Sequence, residues 1–355
     1  MSLLRASATS RAATLSGRSR GYASAAGGSG SNLPMILAVA GVAGLGGYVY
    51  LQRNPSIKAD TSASVESLKE KAEAKVKGIQ GEFKASEGGP GVLGALIKDQ
   101  WTPFLLTKVE DYNHNTKLYT FDFGDPEKTR GGQVANALLV KTPEGENEVK
   151  DDKGKPVIRP YTPVSPPDQK GSLTLMVKEY KDGKLTPYMA RMTPGESSLL
   201  FKGPIPKHKY QPNAFDRGLC IAGGSGITPM YQMISHSLDI PDDKTKWTLV
   251  FSNVTDKDIL LRKEWDQLAK AHPDRLEVRY VLDKAPWGWR GETGFVTANM
   301  IQKVFPKKDD KVMAFVCGPP GQVKALAGPK DGPRQGELQG ALKELGYTAE
   351  EVFKF

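Results

Sequence analysis

Leu219-Cys220-Ile221-Ala222-Gly223-Gly224-Ser225-Gly226-Ile227-Thr228-Pro229 is an apolar run that breaks into a glycine turn and then into helix-starting residues. Glycines let the backbone turn tightly and approach a phosphate or a ring, Thr228 can cap, and Pro229 fits a first helical turn. The spacing is not the GxGxxG fingerprint of the common dinucleotide fold. It is a strand, a glycine turn and a helix, the arrangement with which α/β sheets bind ligands at their carboxyl edge.

Outward from this stretch the chain has two grammars. Downstream, apolar runs at 218–222, 247–253, 276–282 and 311–317 alternate with helical patterns at 230–238, 261–271 and 297–304. That alternation predicts an α/β, doubly wound parallel sheet. Upstream, short β runs at 104–109, 117–123, 137–141, 157–161, 172–180 and 197–201 are cut by turns such as Gly124-Asp125-Pro126 and Gly131-Gly132. Six such runs predict a small antiparallel six-stranded β-barrel. The change falls at 207–217, which makes the chain two-domain, 101–206 and 207–355.

Arg159-Pro160-Tyr161-Thr162-Pro163-Val164-Ser165 closes one barrel run. An arginine can hold a phosphate bidentately and a tyrosine offers a flat face and a hydroxyl, although cross-strand pairing explains the pattern as well. Val177-Lys178-Glu179-Tyr180 leads to Gly183-Lys184-Leu185-Thr186 and a helical stretch to Met192. A glycine before a helix start suits a pyrophosphate, and equally a hairpin turn with an ordinary cap. Asp256-Lys257-Asp258 follows the second α/β run, where an acid can bond the ribose of NAD and repel the phosphate of NADP, or simply cap a helix. Cys317-Gly318-Pro319-Pro320-Gly321 ends the fourth run and sets a small thiol at the cleft. No histidine motif pairs with Cys317 as a nucleophile, so a positioning role is expected.

The net charge of +9 divides unevenly. Arg5, Arg11, Arg18, Arg20, Arg53 and Lys58 supply six of it before the first acid, Asp60, and the remaining +3 is too mild for a nucleic-acid binder. Two distant cysteines, Cys220 and Cys317, exclude a disulfide framework and give no zinc spacing. Residues 1–30, rich in Arg, Ser and Ala, read as a mitochondrial targeting segment. From Leu33 to Leu51 the chain is uncharged, and as a helix it would reach ~28 Å, close to the ~30 Å of a bilayer core. A single transmembrane helix at 31–52 and a linker at 53–100 are therefore expected. Val65, Leu68, Ala72, Val76, Ile79 and Phe83 make an amphipathic spacer within that linker.

In this order the motifs resemble the ferredoxin–NADP reductase superfamily and, within it, the NADH–cytochrome b5 reductases. The resemblance covers residues 101–355, and the leader and span look like those of the fungal mitochondrial form. It implies FAD and NADH as cofactors. By position Arg159 would bind the FAD pyrophosphate, with Pro160 beside it. Tyr161 and Thr162 would lie along the isoalloxazine, Thr162 near its reactive N5. Val177, Lys178, Tyr180, Gly183, Lys184, Leu185 and Thr186 match the second FAD-contacting stretch, and Thr228 a flavin contact from the other domain. Gly223, Gly224, Gly226, Asp258, Cys317, Gly318 and Pro319 match NADH-side positions. Thr162 and Cys317 are thus the residues expected beside the reacting atoms. Leu185-Thr186-Pro187 departs from the Lys-Met-Ser or Lys-Met-Thr run commoner in the family, and nothing carries over at 287–290 or 330–335.

The resemblance implies hydride transfer from NADH to FAD and single-electron delivery to cytochrome b5 or a similar haem protein. Lys181, Lys184, Lys207 and Lys209 could steer an acidic cytochrome, or form a solvated rim. A quinone or ferric-chelate acceptor is the enzymatic alternative, and a non-catalytic membrane tether is the alternative of another class. A monomer at the mitochondrial outer membrane, or a processed intermembrane-space form, completes the expectation.

Overall fold

The computed structural model describes residues 94–355 apart from 98, 181, 308 and 309. The leader, the expected span from Leu33 to Leu51, the spacer and Lys181 lie outside the described residues. Among the described residues no helix is long and apolar enough to cross a membrane.

The first lobe holds β1 (Thr102–Asn113), β2 (Thr116–Asp122), β3 (Ala137–Lys141), β4 (Arg159–Tyr161), β5 (Ser172–Lys178), helix α1 (Thr186–Ala190) and β6 (Ser198–Ile205). The strands form one antiparallel sheet in the order β4-β3-β6-β1-β2-β5. Period-2 alternation drives it inward: Leu173, Leu175 and Val177 of β5 join a core with Phe104, Phe121 and Phe201. The phenyl rings of Phe104, Phe121, Phe123 and Phe201 pack at 4.9–5.1 Å between centroids. The edges β4 and β5 share no ladder. They meet through the segment after β4, where Val164 N donates to Thr174 O (2.9 Å) and Thr174 N to Ser165 Oγ (3.0 Å). Strand β1 outruns the expected 104–109, and its polar far end carries Tyr112 and Asn113 out to the second lobe.

The second lobe runs β7 (Arg217–Gly223), α2 (Ile227–Asp239), β8 (Lys246–Asn253), α3 (Arg262–Ala271), β9 (Leu276–Leu282), β10 (Glu292–Thr293), α4 (Ala298–Val304), β11 (Val312–Cys317), α5 (Pro320–Ala327), α6 (Gly340–Glu344) and β12 (Val352–Lys354). Its parallel sheet has the order β10-β9-β8-β7-β11-β12. Alternate residues of β7 face opposite layers. Cys220 and Ala222 pack with Met230 and Trp265, whereas Leu219 and Ile221 pack with Ile301 and Leu326. Helices therefore cover both faces. The chain winds from β7 to β9 in one direction and from β11 to β12 in the other, so the switch point lies between β7 and β11. Strands β10 and β12 and helices α5 and α6 went unforeseen, because they are only two to eight residues long, and β10, α5 and α6 begin at or beside Gly and Pro.

Candidate active site

At the switch point two glycine turns close on each other. A Cβ on Gly226 would lie 2.3 Å from Cys317 O and 2.8 Å from Gly318 N, so only a glycine admits this approach. Gly224 sits at φ +51°, in the left-handed region that glycine enters freely. Gly223 is buried against Gln322 and Pro319. The turn thus delivers its backbone to the carboxyl edge of the sheet.

A cavity of about 620 Å³ opens between this turn and the first lobe. Arg159, Pro160, Tyr161 and Thr162 line it from β4, and Lys178, Tyr180, Gly183, Lys184, Leu185 and Thr186 from β5 and the start of α1. Ser225, Thr228, Pro229 and Cys317 line it from the second lobe. The two motifs of one lobe, sixteen residues apart at their nearest, therefore share one wall. Both expected catalytic residues, Thr162 and Cys317, face the same space.

A second cavity of about 600 Å³ adjoins it. Gly223, Gly224 and Pro319 line it together with Asn253, Asp283, Phe295 and Gln322. Lys178 and Tyr180 border both cavities. Val177 is buried in the sheet core beneath the first cavity, and Gly226 and Gly318 support the turns from behind.

Asp258 lines neither cavity. It is buried, accepts from Lys178 Nζ (2.9 Å) and Asn115 Nδ2 (3.1 Å), and caps its own turn through Thr255 Oγ1 (2.7 Å). Burial pushes this carboxyl up, but the hydrogen bonds from Thr255, Lys178 and Asn115 outweigh it and hold the group well below the usual carboxylate range. Its structural task is to join the lobes rather than to face the nucleotide cavity. Gln232 does the same from α2, donating to Pro163 O (2.6 Å) and accepting from Ala135 N (2.9 Å). Tyr180 Oη and Ser225 Oγ meet at 3.1 Å across the cavity mouth.

Burial raises the Tyr161 phenol to about 12, against the pull of Arg159, so it stays protonated. Burial also pushes the Cys317 thiol up to about 12, with Lys330 opposing. The thiol is neutral at physiological pH, which suits a packing and positioning group and not a nucleophile. The sequence reading passed over Lys330 and Phe355 on the first cavity and Asn253, Asp283, Phe295 and Gln322 on the second. Exposed Phe295, with 83% of its surface accessible, was the one legible signal, being a large apolar residue outside any core pattern.

The oxidoreductase FAD-binding domain profile matches residues 103–210, and the oxidoreductase NAD-binding domain profile matches 220–327. An NADH-cytochrome b5 reductase 2 of Mycosarcoma maydis is 45% identical over 95% of this chain and 93% of its own. The chain belongs to the NADH–cytochrome b5 reductase family. A second member, NADH-cytochrome b5 reductase 2 of Coccidioides immitis (strain RS), is 43% identical over 92% of this chain and 91% of its own. Among solved structures, the cytochrome b5 reductase domain of Ulva prolifera nitrate reductase superposes with a TM-score of 0.64 at 27% identity, covering 74% of this chain and 99% of that one.

As a member of this family the protein is an oxidoreductase with FAD and NADH as cofactors. The residues present fit both. The first cavity offers the Arg159 and Lys184 cations for a pyrophosphate and the flat face of Tyr161 for a ring system. Thr186 Oγ1 on its wall is buried with no protein partner, the state of a donor awaiting a ligand. In the second cavity Gln322 Nε2 is likewise buried and unpartnered beside the Gly223-Gly224 turn.

Proposed function

We propose that the protein takes electrons from NADH through FAD and delivers them to a cytochrome b5-type haem protein, anchored at the mitochondrial outer membrane through Leu33 to Leu51. The observation that carries the reading is the shared cavity. It brings Thr162 of one lobe and Thr228 and Cys317 of the other to a single space beside the nucleotide turn. FAD, when bound, supplies the chemistry of accepting a hydride and releasing electrons singly.

The chain's own residues then have four tasks. Arg159 and Lys184 neutralise the FAD pyrophosphate. Tyr161, Thr162 and Thr228 orient the flavin, and Gly223, Gly224 and Pro319 receive the dinucleotide at the sheet edge. Cys317 and Gly318, held against Gly226, fix how deeply the nicotinamide enters. Lys178–Asp258 and Gln232 keep the lobes in register, and with them the two walls that would hold the flavin and the nicotinamide.

The acidic-poor leader and uncharged segment support the membrane location, and the names of the relatives support the haem acceptor. Purified full-length protein tests the reading directly. It should carry flavin absorption that NADH bleaches and added cytochrome b5 restores. A colourless protein would refute the enzyme; a flavoprotein reoxidised by quinone or ferric chelate but not by cytochrome b5 would refute the acceptor.

A further inference from the structure

Apart from Lys178, which is paired with Asp258, the first cavity carries two groups of cations, and only one is explained by a pyrophosphate. Arg159 and Lys184 stand together by Asp151 and Asp152: Lys184 contacts Asp152, and the Asp151 carboxyl, held low mainly by the backbone N–H groups of Lys155 and Lys153, is drawn down further by both cations. Lys207 and Lys330 form the other group, with Cys317 and Phe355 on the same wall. Lys330 lies close enough to Cys317 for its charge to act on that thiol.

Lys330 is not a free surface lysine. It is half-buried, its Nζ donates to Lys354 O (3.1 Å), and it enters no ion pair among the described residues. The loop that carries it is built around the penultimate residue of the chain. The Lys354 ammonium, 2% exposed, donates to Ala327 O (3.1 Å), Pro329 O (3.2 Å) and Glu337 O (3.2 Å). Gln335 grips the Lys354 backbone on both sides, accepting from its N–H at 2.6 Å and donating to its carbonyl at 3.1 Å. Burying an ammonium without a carboxylate is costly unless its donors are all used, and here three carbonyls use them. The outcome of this arrangement is the fixed position of Lys330 at the Cys317 end of the cavity.

Hydride transfer supplies a reason for a cation there. The C4–H bond of NADH breaks with both electrons leaving on the hydride, which bonds to flavin N5. NADH becomes NAD⁺ and the flavin ring gains one negative charge without a second proton. A cation in a partly desolvated site stabilises that charge more than it would in water. We propose that Lys330, positioned by Lys354, is a further flavin-facing residue that stabilises the reduced over the oxidised cofactor. The proposal rests on FAD occupying the first cavity as described above.

The test is the two-electron midpoint potential of FAD in the full-length holoenzyme, measured by dye equilibration for the wild type, Lys330→Met and Lys330→Arg. Lys330→Met should shift the reduced-to-oxidised ratio at fixed potential about tenfold toward oxidised, a fall of about 30 mV for a two-electron couple. Lys330→Arg, which keeps the charge, should stay near the wild type. A holoenzyme that keeps its flavin but shows the same potential in all three proteins overturns the inference and leaves the NADH reductase reading intact. Failure of the wild-type chain to bind FAD would instead strike at the reading on which it rests. Loss of potential in Lys330→Arg equal to that in Lys330→Met would overturn the charge-based account.

Discussion

Lys178 Nζ lies 2.9 Å from Asp258 Oδ1, joining the last residue of β5 to the turn that follows β8. Their side chains are 12% and 7% exposed, so this ion pair is a buried fastening between the lobes and not a surface pair of negligible worth. Lys178 also borders both cavities, so the same contact that fastens the lobes sets one wall of the site.

Asp258→Ala leaves the Lys178 ammonium buried without its partner, and loss of one partner of a buried pair costs about 3–5 kcal/mol. Urea unfolding should show a fall of that order, and a change below about 1 kcal/mol would rule out a fastening role. The pH dependence has a definite sign. The folded carboxyl titrates below its ordinary value of about 3.9. The stabilisation is therefore complete above that pH and is lost as pH falls below it, and Asp258→Asn should flatten this acid limb.

Gly226→Ala tests the closeness of the two turns. Its Cβ would fall 2.3 Å from Cys317 O, a backbone atom that cannot swing aside. The turns must separate, at a cost typical of overpacking, about 1–3 kcal/mol. Stopped-flow reduction by NADH should slow by at least tenfold while the flavin is retained. An unchanged rate would show that the spacing of β7 and β11 does not govern nicotinamide entry.

Arg159→Ala removes a charged donor from the first cavity. Charge-assisted hydrogen bonds contribute about 1.5–3 kcal/mol, so FAD should bind roughly ten- to a hundredfold more weakly. Flavin fluorescence on titration of the apoprotein reads this directly. Lys207→Ala, which removes a lining cation near Lys330, should leave FAD affinity within about twofold if the pyrophosphate lies at Arg159.

Cys317 should be chemically quiet. With its thiol pushed up to about 12, it stays neutral across the pH range in which ordinary thiols, near 8.5, ionise. The rate of flavin reduction should show no inflection between pH 7 and about 9 that disappears in Cys317→Ala. Iodoacetamide should label the native protein slowly. Rapid alkylation with a pH midpoint near the ordinary thiol value would contradict a half-buried, neutral group.

Much of the architecture is legible in the chain because it rests on local periodicities. The alternation of Leu173, Leu175 and Val177 announces a strand, and the apolar run into Gly223-Gly224 announces the carboxyl edge of a parallel sheet. The stretches Arg159 to Thr162 and Lys178 to Thr186 are recognisable as motifs because glycine, proline and charge punctuate them. Asp258 was legible as an important acid, but its partner was not. Nothing local in the sequence shows that Lys178 and Asn115 converge on it from another lobe.

What the sequence by itself determined is the order of elements, the two lobes and the glycine turn at 223–226, all of which follow from residue periodicity and backbone freedom. Only the tertiary structure decided which distant groups meet. Closure of the sheet through Val164 and Thr174 sets the β4 and β5 motifs on one wall. The crossover that places β11 beside β7 brings Cys317 against Gly226, and the return of the chain as β12 beside β11 sets the Lys354 carbonyl where it holds Lys330 on the cavity wall. Such meetings span tens to hundreds of residues. They are governed by burial and by the satisfaction of polar groups, which no local pattern records.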